Sequence, residues 1–372
     1  MCQLHTTSSR LCPGALLVVL LVACTYAAKP GPVFLFSIDG MRTDYLQQAR
    51  ALGLPTLTRL IEGGTLASAS QTVWPAVTFP SHTSMVTGVN PAKHGIWNNN
   101  VFGPLDANRN NHYFYQDITA KTIFDAAQEL GLTAMGIDWP VTVGAPLDPL
   151  FPGNDDDPST LDEAKWLWNT IKGPIKKVLP NPQALFGLLM DPQRAAIAME
   201  FLDYKTPDLF AFHFNDLDGA EHAHGYMSNE AIKTLKMIDS LLGQMLAKLD
   251  RMGLLANGTV IVASDHGFLN TTGTEISPGA LLNALGVIGP GPNGYPPWQA
   301  WPDCSSGVCP IFIHPNASSS VRDTVDQAVK ILLSEPAYGI IKAYSAAEVA
   351  ALGCWPGAHV MLQVRLPTLR YS

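Results

Sequence analysis

Asp39, the Asp218-x-x-x-His222 pair and the adjacent Asp265-His266 are the residues of this sequence best suited to grip a divalent cation. Carboxylate oxygens with imidazole nitrogens form a borderline-to-hard donor set that fits zinc and also manganese or iron. Clustered carboxylates without a cation repel one another and raise each other's pKa, so a metal is their natural counter-charge. Thr78, in Trp74-Pro-Ala-Val-Thr-Phe-Pro-Ser-His82, is the candidate nucleophile. It precedes an expected helix start, where free amides and the helix dipole favour an oxyanion. A hydroxyl attacks poorly until a base or metal lowers its pKa. On local sequence alone the plainer role for Thr78 is a helix N-cap. Asn98-Asn99-Asn100 is either a polar loop or the source of an amide donor to an oxyanion. His213 reads as a packed core side chain and His224 as a surface neighbour of His222, while His94 stays ambiguous.

The elements that must position these groups are legible from hydropathy. Val33-Phe-Leu-Phe-Ser37 is a continuous apolar run ending at Asp39-Gly40, the pattern of a buried strand and turn. Asp208 to Phe214 and Thr259 to Ala263 read the same way, with Thr133 to Ile137 as a fourth strand. Helices are expected over 54–64, 81–87, 122–130 and 228–255, the last with an apolar stripe from Ile232 to Met252 at three- and four-residue steps. Strands alternating with helices imply a mainly parallel sheet covered on both faces. Asp39, Asp218 with His222, and Asp265 with His266 each follow the carboxyl end of a strand, the edge where such sheets bind ligands. Residues 150–200 break the rhythm and read as an insertion over the sheet with helical stretches near 160–178 and 183–203. Residues 289–302 read as loop.

The 372 residues are 47% apolar and 15% charged, with a formal net charge of −8. That composition excludes a disordered chain, and the acidic balance argues against a nucleic-acid-binding surface. Any phosphate chemistry then needs a local positive charge such as a metal. Residues 1–28 read as a signal peptide, with the apolar run Ala15–Ala23 before the small residues Ala27 and Ala28. Leu21-Val-Ala-Cys24 also fits a lipoprotein cleavage box, which would lipidate Cys24. The signal peptide makes the expected location secreted or extracytoplasmic, and with no later apolar run long enough to span a bilayer the mature chain is expected to be soluble or anchored only at its start. Cys304 and Cys309 are close enough for a small disulfide loop, leaving Cys354 as an odd thiol. Asn257-Gly-Thr, Asn270-Thr-Thr and Asn316-Ala-Ser are glycosylation acceptors in a eukaryotic host.

Phe36-Ser-Ile-Asp-Gly-Met-Arg42, Thr78-Phe-Pro-Ser-His82, His94-Gly-Ile-Trp-Asn-Asn99, Asp218-x-x-x-His222-x-x-Gly225 and Ser264-Asp-His-Gly267 occur in that order. Together they resemble the type I phosphodiesterase/nucleotide pyrophosphatase branch of the alkaline phosphatase superfamily, over residues 31 to 364. The resemblance implies a three-layer α/β/α sandwich carrying two zinc ions. It assigns Asp39, Thr78, Asp265 and His266 to one zinc, and Asp218 and His222 to the other. It makes Thr78 the nucleophile of a covalent phospho-enzyme and Asn99 the amide donor to the phosphoryl group. It makes Phe79 a ring that stacks on a nucleobase.

Two departures from the family pattern stand out. Glu221 occupies the place of a glycine before the histidine, which is tolerable if its side chain points outward. The late histidine that completes the second zinc has no match, and His359 is the single late candidate. The tail 365–372 matches no pattern, so the domain over 29–364 reads as incomplete at its carboxyl end. The expected activity is an exported zinc-dependent hydrolase of phosphodiester or pyrophosphate bonds acting on small phosphoesters or nucleotides. The rivals are an impaired or inactive family member that only binds, and a phosphomonoesterase or phosphonate hydrolase. A sulfatase is disfavoured, because Thr78-x-Pro80-x-His82 lacks the cysteine or serine and the arginine of that chemistry.

Overall fold

The computed structural model describes residues 30–102, 111–152, 190–271, 275–291, 294, 296–365 and 370–371. The signal peptide expected over 1–28, Cys24 and the helical stretch expected over 160–178 lie outside the described residues. Pro32–Ser372 forms one compact unit.

Five parallel strands, β1 (Val33–Ile38), β2 (Ala134–Trp139), β3 (Leu150–Pro152), β4 (Leu209–Phe214) and β5 (Thr259–Ala263), form a sheet in the order β3-β2-β4-β1-β5. Side-chain alternation sorts the central strands between two cores. Phe34, Phe36 and Ile38 of β1 join Phe210, Phe212 and Phe214 of β4 against helices Asp191–Tyr204 and Asn229–Arg251. Leu35, Leu209 and Ala211 face the other way, onto Val86 and Phe124 of helices Thr78–Thr87 and Ile123–Glu129. The sandwich therefore has the expected three layers. Burial on both faces explains why β1 and β4 read as unbroken apolar runs. β5 differs from expectation: it is the edge strand, and Ile261 is 43% exposed.

The helices end where local chemistry dictates. Thr122 caps Ile123–Glu129 in a capping box with Asp125, and Ser228 Oγ accepts from Ala231 N–H at the start of Asn229–Arg251. Helix Pro55–Gly63 is capped by a distant residue: the buried Asp239 carboxylate accepts from Thr56 and Leu57 N–H at 3.0 and 2.7 Å. Helix Thr78–Thr87 starts three residues earlier than expected. Val77 is its N-cap, so Thr78 is the first helical residue and not the cap.

A second sheet was not legible in the sequence. β7 (Ala300–Pro302), β8 (Val308–Ile313), β9 (Ile340–Ser345) and β10 (Val360–Val364) pair antiparallel in the order β7-β8-β10-β9. β7 lies within the expected 289–302 loop. Helix Ser319–Ser334 covers one face with Val321, Val325 and Leu332. Phe312, Trp355 and Met361 form another core, flanked by Trp298 and Trp301. The Cys304–Cys309 disulfide is formed, and Cys354 is buried and free. Short strands β6 (Glu275–Ile276) and β11 (Arg370–Tyr371) pair with each other, which gives part of the unmatched tail a partner.

Candidate active site

The parallel register sets the geometry. β1 ends at Ile38, and Asp39 N–H donates to Phe214 O at 2.9 Å at the end of β4. Gly40 then turns the chain at φ +72°, and its N–H donates to Asp265 Oδ1 at 3.3 Å, beyond the end of β5. Three loops thus meet at one sheet edge. Ligand atoms of Asp39, Asp265 and His266 all lie within 4.8 Å of one another. His266 Nε2 stands 3.3 Å from both Asp39 Oδ1 and Asp265 Oδ2.

These groups fit a cation by an observation of their own. Asp39 Oδ1, Asp265 Oδ2 and Asp218 Oδ1 are buried and make no hydrogen bond among the described residues. A buried carboxylate oxygen without a donor costs free energy unless a positive charge faces it. Burial and the neighbouring Asp265 hold the Asp39 carboxyl well above its ordinary pKa. Burial opposes the charged form of His266, but Asp265, Asp39 and Asp218 outweigh it and raise that imidazole to about 9. A bound cation would take over the stabilisation now provided by that proton.

Three residues behind the ligands were not assigned this role from sequence. Ser37 and His213 lie opposite each other in the β1–β4 register, on the face that meets helix Thr78–Thr87. His213 donates from Nε2 to Asp39 Oδ2 and from Nδ1 to Asp138 O, both at 3.0 Å. Burial disfavours its charge, yet Asp138 and Asp39 hold its pKa well above the ordinary value. It is buried as expected of a core side chain, but it also orients the Asp39 carboxylate. His82 is the neutral counterpart. Its Nδ1 donates to Thr78 O at 2.8 Å, which leaves Nε2 to accept from Ser37 Oγ at 2.9 Å. Burial and the neighbouring His213 push its pKa down to about 3. Beneath Asp138, the buried Arg194 stands 2.7 Å from Asp138 Oδ2, 3.2 Å from Asp191 Oδ1 and 3.4 Å from Asp216 Oδ1. The spacing of Ser37, His82 and His213 carries no sequence signal, because their contacts are made only across the layers.

The site opens into a cleft of about 1690 Å³ lined by Thr78, Asn99, Asp218, His222 and His266 among others. Asn99 Oδ1 accepts from Phe79 N–H at 2.8 Å, which fixes the carboxamide beside the start of helix Thr78–Thr87. Asn98 Nδ2 donates to Asp303 Oδ1 at 3.1 Å, tying the same loop to the second sheet. His222 Nε2 lies 3.3 Å from Asp218 Oδ2, and its side chain is 70% exposed.

The geometry corrects the expectation for Phe79 and answers the two points left open at Glu221 and His359. Phe79 is 1% exposed and packs on Ile96 and Val141, so its ring is held in a core and not offered for stacking in the cleft. Glu221 does not point outward. It is 1% exposed, and its Oε1 accepts from Tyr45 OH at 2.8 Å. His359 does not approach Asp218. Its Nε2 lies 2.6 Å from Asp326 Oδ1 and its Nδ1 3.0 Å from Arg322 Nη1, both on helix Ser319–Ser334.

Residues 33–288 match the type I phosphodiesterase/nucleotide pyrophosphatase family, and the chain belongs to that family. It is 28% identical over 248 residues to ectonucleotide pyrophosphatase/phosphodiesterase family member 1 of Rattus norvegicus, covering 66% of this chain and 25% of that protein. It is 29% identical over 255 residues to the venom phosphodiesterase CdcPDE of Crotalus durissus collilineatus, covering 66% of this chain and 27% of that one. The chain thus spans about a quarter of the length of these relatives. In fold it is similar to phosphonoacetate hydrolase from Sinorhizobium meliloti 1021, with a TM-score of 0.64 at 19% identity over 92% of this chain and 83% of that one. It is also similar to murine ectonucleotide pyrophosphatase/phosphodiesterase 5, with a TM-score of 0.62 at 18% identity over 92% and 81%. No described helix is long and apolar enough to cross a membrane.

Proposed function

We propose that this chain hydrolyses phosphodiester or pyrophosphate bonds of nucleotides, through a phosphothreonine at Thr78, with two zinc ions per chain. The observation that carries this reading is one cleft lined by Thr78, Asn99, Asp218, His222 and His266, with donor atoms of the buried Asp39 and Asp265 within 4.8 Å of one on His266. Asp39, Asp265 and His266, with Thr78, would hold one cation; Asp218 and His222 would contribute to the other. When bound, the cations lower the pKa of the attacking hydroxyl and take up charge that develops on the phosphoryl oxygens.

The chain's own residues do the rest. His82 grips the Thr78 carbonyl, so the nucleophile rides on the rigid first turn of its helix. Thr78 Oγ attacks phosphorus, the bond to the leaving oxygen breaks, and phosphothreonine forms. Water then cleaves the Oγ–phosphorus bond and restores the hydroxyl. Asn99, with its carbonyl end fixed on Phe79 N–H, directs its amide end as a donor to a phosphoryl oxygen. Export by a signal peptide over 1–28 agrees with the ecto- and venom enzymes among the relatives.

The test is Thr78→Ala, assayed on the p-nitrophenyl ester of thymidine 5′-monophosphate and on p-nitrophenyl phosphate. The wild type is expected to prefer the diester. The variant is expected to lose on the order of 10³- to 10⁶-fold in kcat, as removed nucleophiles do, while keeping its metal. Retained turnover would refute the nucleophile, and a wild-type preference for the monoester would replace the substrate class.

A further inference from the structure

The disulfide-closed turn Cys304–Cys309 makes contacts that its own sheet does not require. Strands β7 and β8 pair as far as Pro302 and Ile311, and the ladder runs on through Asp303 N–H, which donates to Pro310 O at 2.9 Å. Ser305 and Val308 exchange N–H···O bonds at 2.8 and 2.9 Å, closing a two-residue hairpin at Ser306-Gly307. The disulfide crosses this hairpin, and Val364 N–H of β10 donates to Gly307 O at 3.1 Å, so the tip is held from two sides. Ser306 and Gly307 have φ of +49° and +80°. Glycine, asparagine or aspartate is the favoured first residue of such a turn, because a Cβ is crowded at positive φ. What serine brings to this strained position is a hydroxyl: Oγ donates to Ala76 O at 3.0 Å, two residues before Thr78.

The same turn holds a second segment. Asp303 Oδ1 accepts from Asn98 Nδ2 at 3.1 Å, and Asn98 Oδ1 accepts from Asn99 N–H at 2.9 Å. Asn99 Oδ1 accepts from Phe79 N–H at 2.8 Å. A ring of contacts thus runs from the turn to Asn99, on to the first turn of helix Thr78–Thr87, and back through Ala76 to Ser306. Neither tethered segment has regular structure of its own, since residues 64–77 and 95–99 lie outside helices and strands. Ser306 and Gly307 line the same cleft as Thr78 and Asn99. Attack on phosphorus tolerates little error there, because a misplacement of about 1 Å can cost on the order of 100-fold in rate.

We infer that the Cys304–Cys309 turn is a positioning element for phosphoryl transfer. Ser306 fixes the approach to Thr78 and Asp303 fixes the loop of Asn99, so that hydroxyl and amide keep one spacing across the cleft. The inference rests on the roles of Thr78 and Asn99 given above. Ser306 and Asp303 act only through the residues they hold.

The experiment measures kcat, KM and thermal melting on the p-nitrophenyl ester of thymidine 5′-monophosphate. The variants are Thr78→Ala, Ser306→Gly, Asp303→Ala, Asp303→Asn and the double variant Cys304→Ala with Cys309→Ala. Glycine suits the backbone at 306, so Ser306→Gly is expected to melt no lower than wild type. A turn that served folding alone would then keep its kcat. A positioning turn is expected to lose kcat by about 3- to 10-fold with KM little changed, a loss confined to the transition state. Asp303→Ala should lose kcat in the same way, and Asp303→Asn, which keeps an oxygen for Asn98, should restore most of it. The double variant should lose about 10- to 100-fold. Both cysteines are removed together so that neither is left to pair with the free Cys354. Wild-type kcat in both Ser306→Gly and Asp303→Ala overturns the inference and leaves the chemistry at Thr78 standing. A wild type whose turnover does not depend on Thr78 overturns both. If the double variant does not fold, the substitutions at 306 and 303 decide.

Discussion

At the carboxyl edge of the parallel sheet, Asp39 and Asp265 lie buried with oxygens that accept no hydrogen bond. In the second region, Phe312, Met361 and Trp355 share one core, and His359 is held between Asp326 and Arg322. The first region packs carboxyl groups beside imidazoles, with buried oxygens that no hydrogen bond satisfies among the described residues. The second packs apolar side chains. The Asn98–Asp303 hydrogen bond joins the two. The second region therefore anchors the loop that carries Asn99.

The sharpest way to break this contrast is to hollow out the second region. Phe312→Ala removes a 6%-exposed ring whose centroid lies 4.7 Å from that of Phe102. It should cost about 3–5 kcal/mol in urea unfolding while leaving zinc content unchanged. Loss of zinc in the folded variant would show that the two regions are not separable.

The junction gives the next effect. Burial raises the Asp303 pKa to about 6, against the lowering effect of Asn98. The protonated form is favoured in the folded state. Its contribution is therefore complete below pH 4 and lost as the pH rises to about 6. At 1.36 kcal/mol per pKa unit, the loss is at most about 3 kcal/mol. Asp303→Asn should flatten stability between pH 4 and 7, measured as urea midpoints. An unchanged slope would remove Asp303 as the titrating group.

A smaller effect is expected behind the ligands. His213→Gln removes the imidazolium between Asp39 and Asp138, and should weaken zinc binding by about 10- to 100-fold. Thermal melting of the metal-free variant separates that loss from misfolding. Wild-type affinity would reduce His213 to packing alone.

Much of the candidate site was legible because Asp39, Asp218 and Asp265 each follow an apolar run that reads as a strand. Asp39, Asp218 and Asp265 could be set at one edge from that pattern and the topology of parallel sheets. The second sheet was not legible. β7 is three residues long beside a stretch rich in glycine and proline, and β9 is largely exposed. Neither carries an alternation strong enough to read. The direction of Glu221 was left open, because i, i+3 and i+4 spacing tells which helix face it shares, not whether that face meets Tyr45 and Gly40 or solvent. Phe79 was misread because the resemblance supplies a role, whereas packing against Ile96 and Val141 decides where the ring goes.

The chain's own order of residues determined the donor types, the strands that end at them and the hydroxyl at a helix start. Each of these follows from local hydropathy and local chemistry. Only tertiary structure decided that His213 and His82 carry opposite charge states 4.4 Å apart, ring to ring, and that Glu221 turns inward. The reason is physical: the charge of a buried imidazole or carboxylate is set by the groups that replace its water. Those groups come from strands and helices far away along the chain.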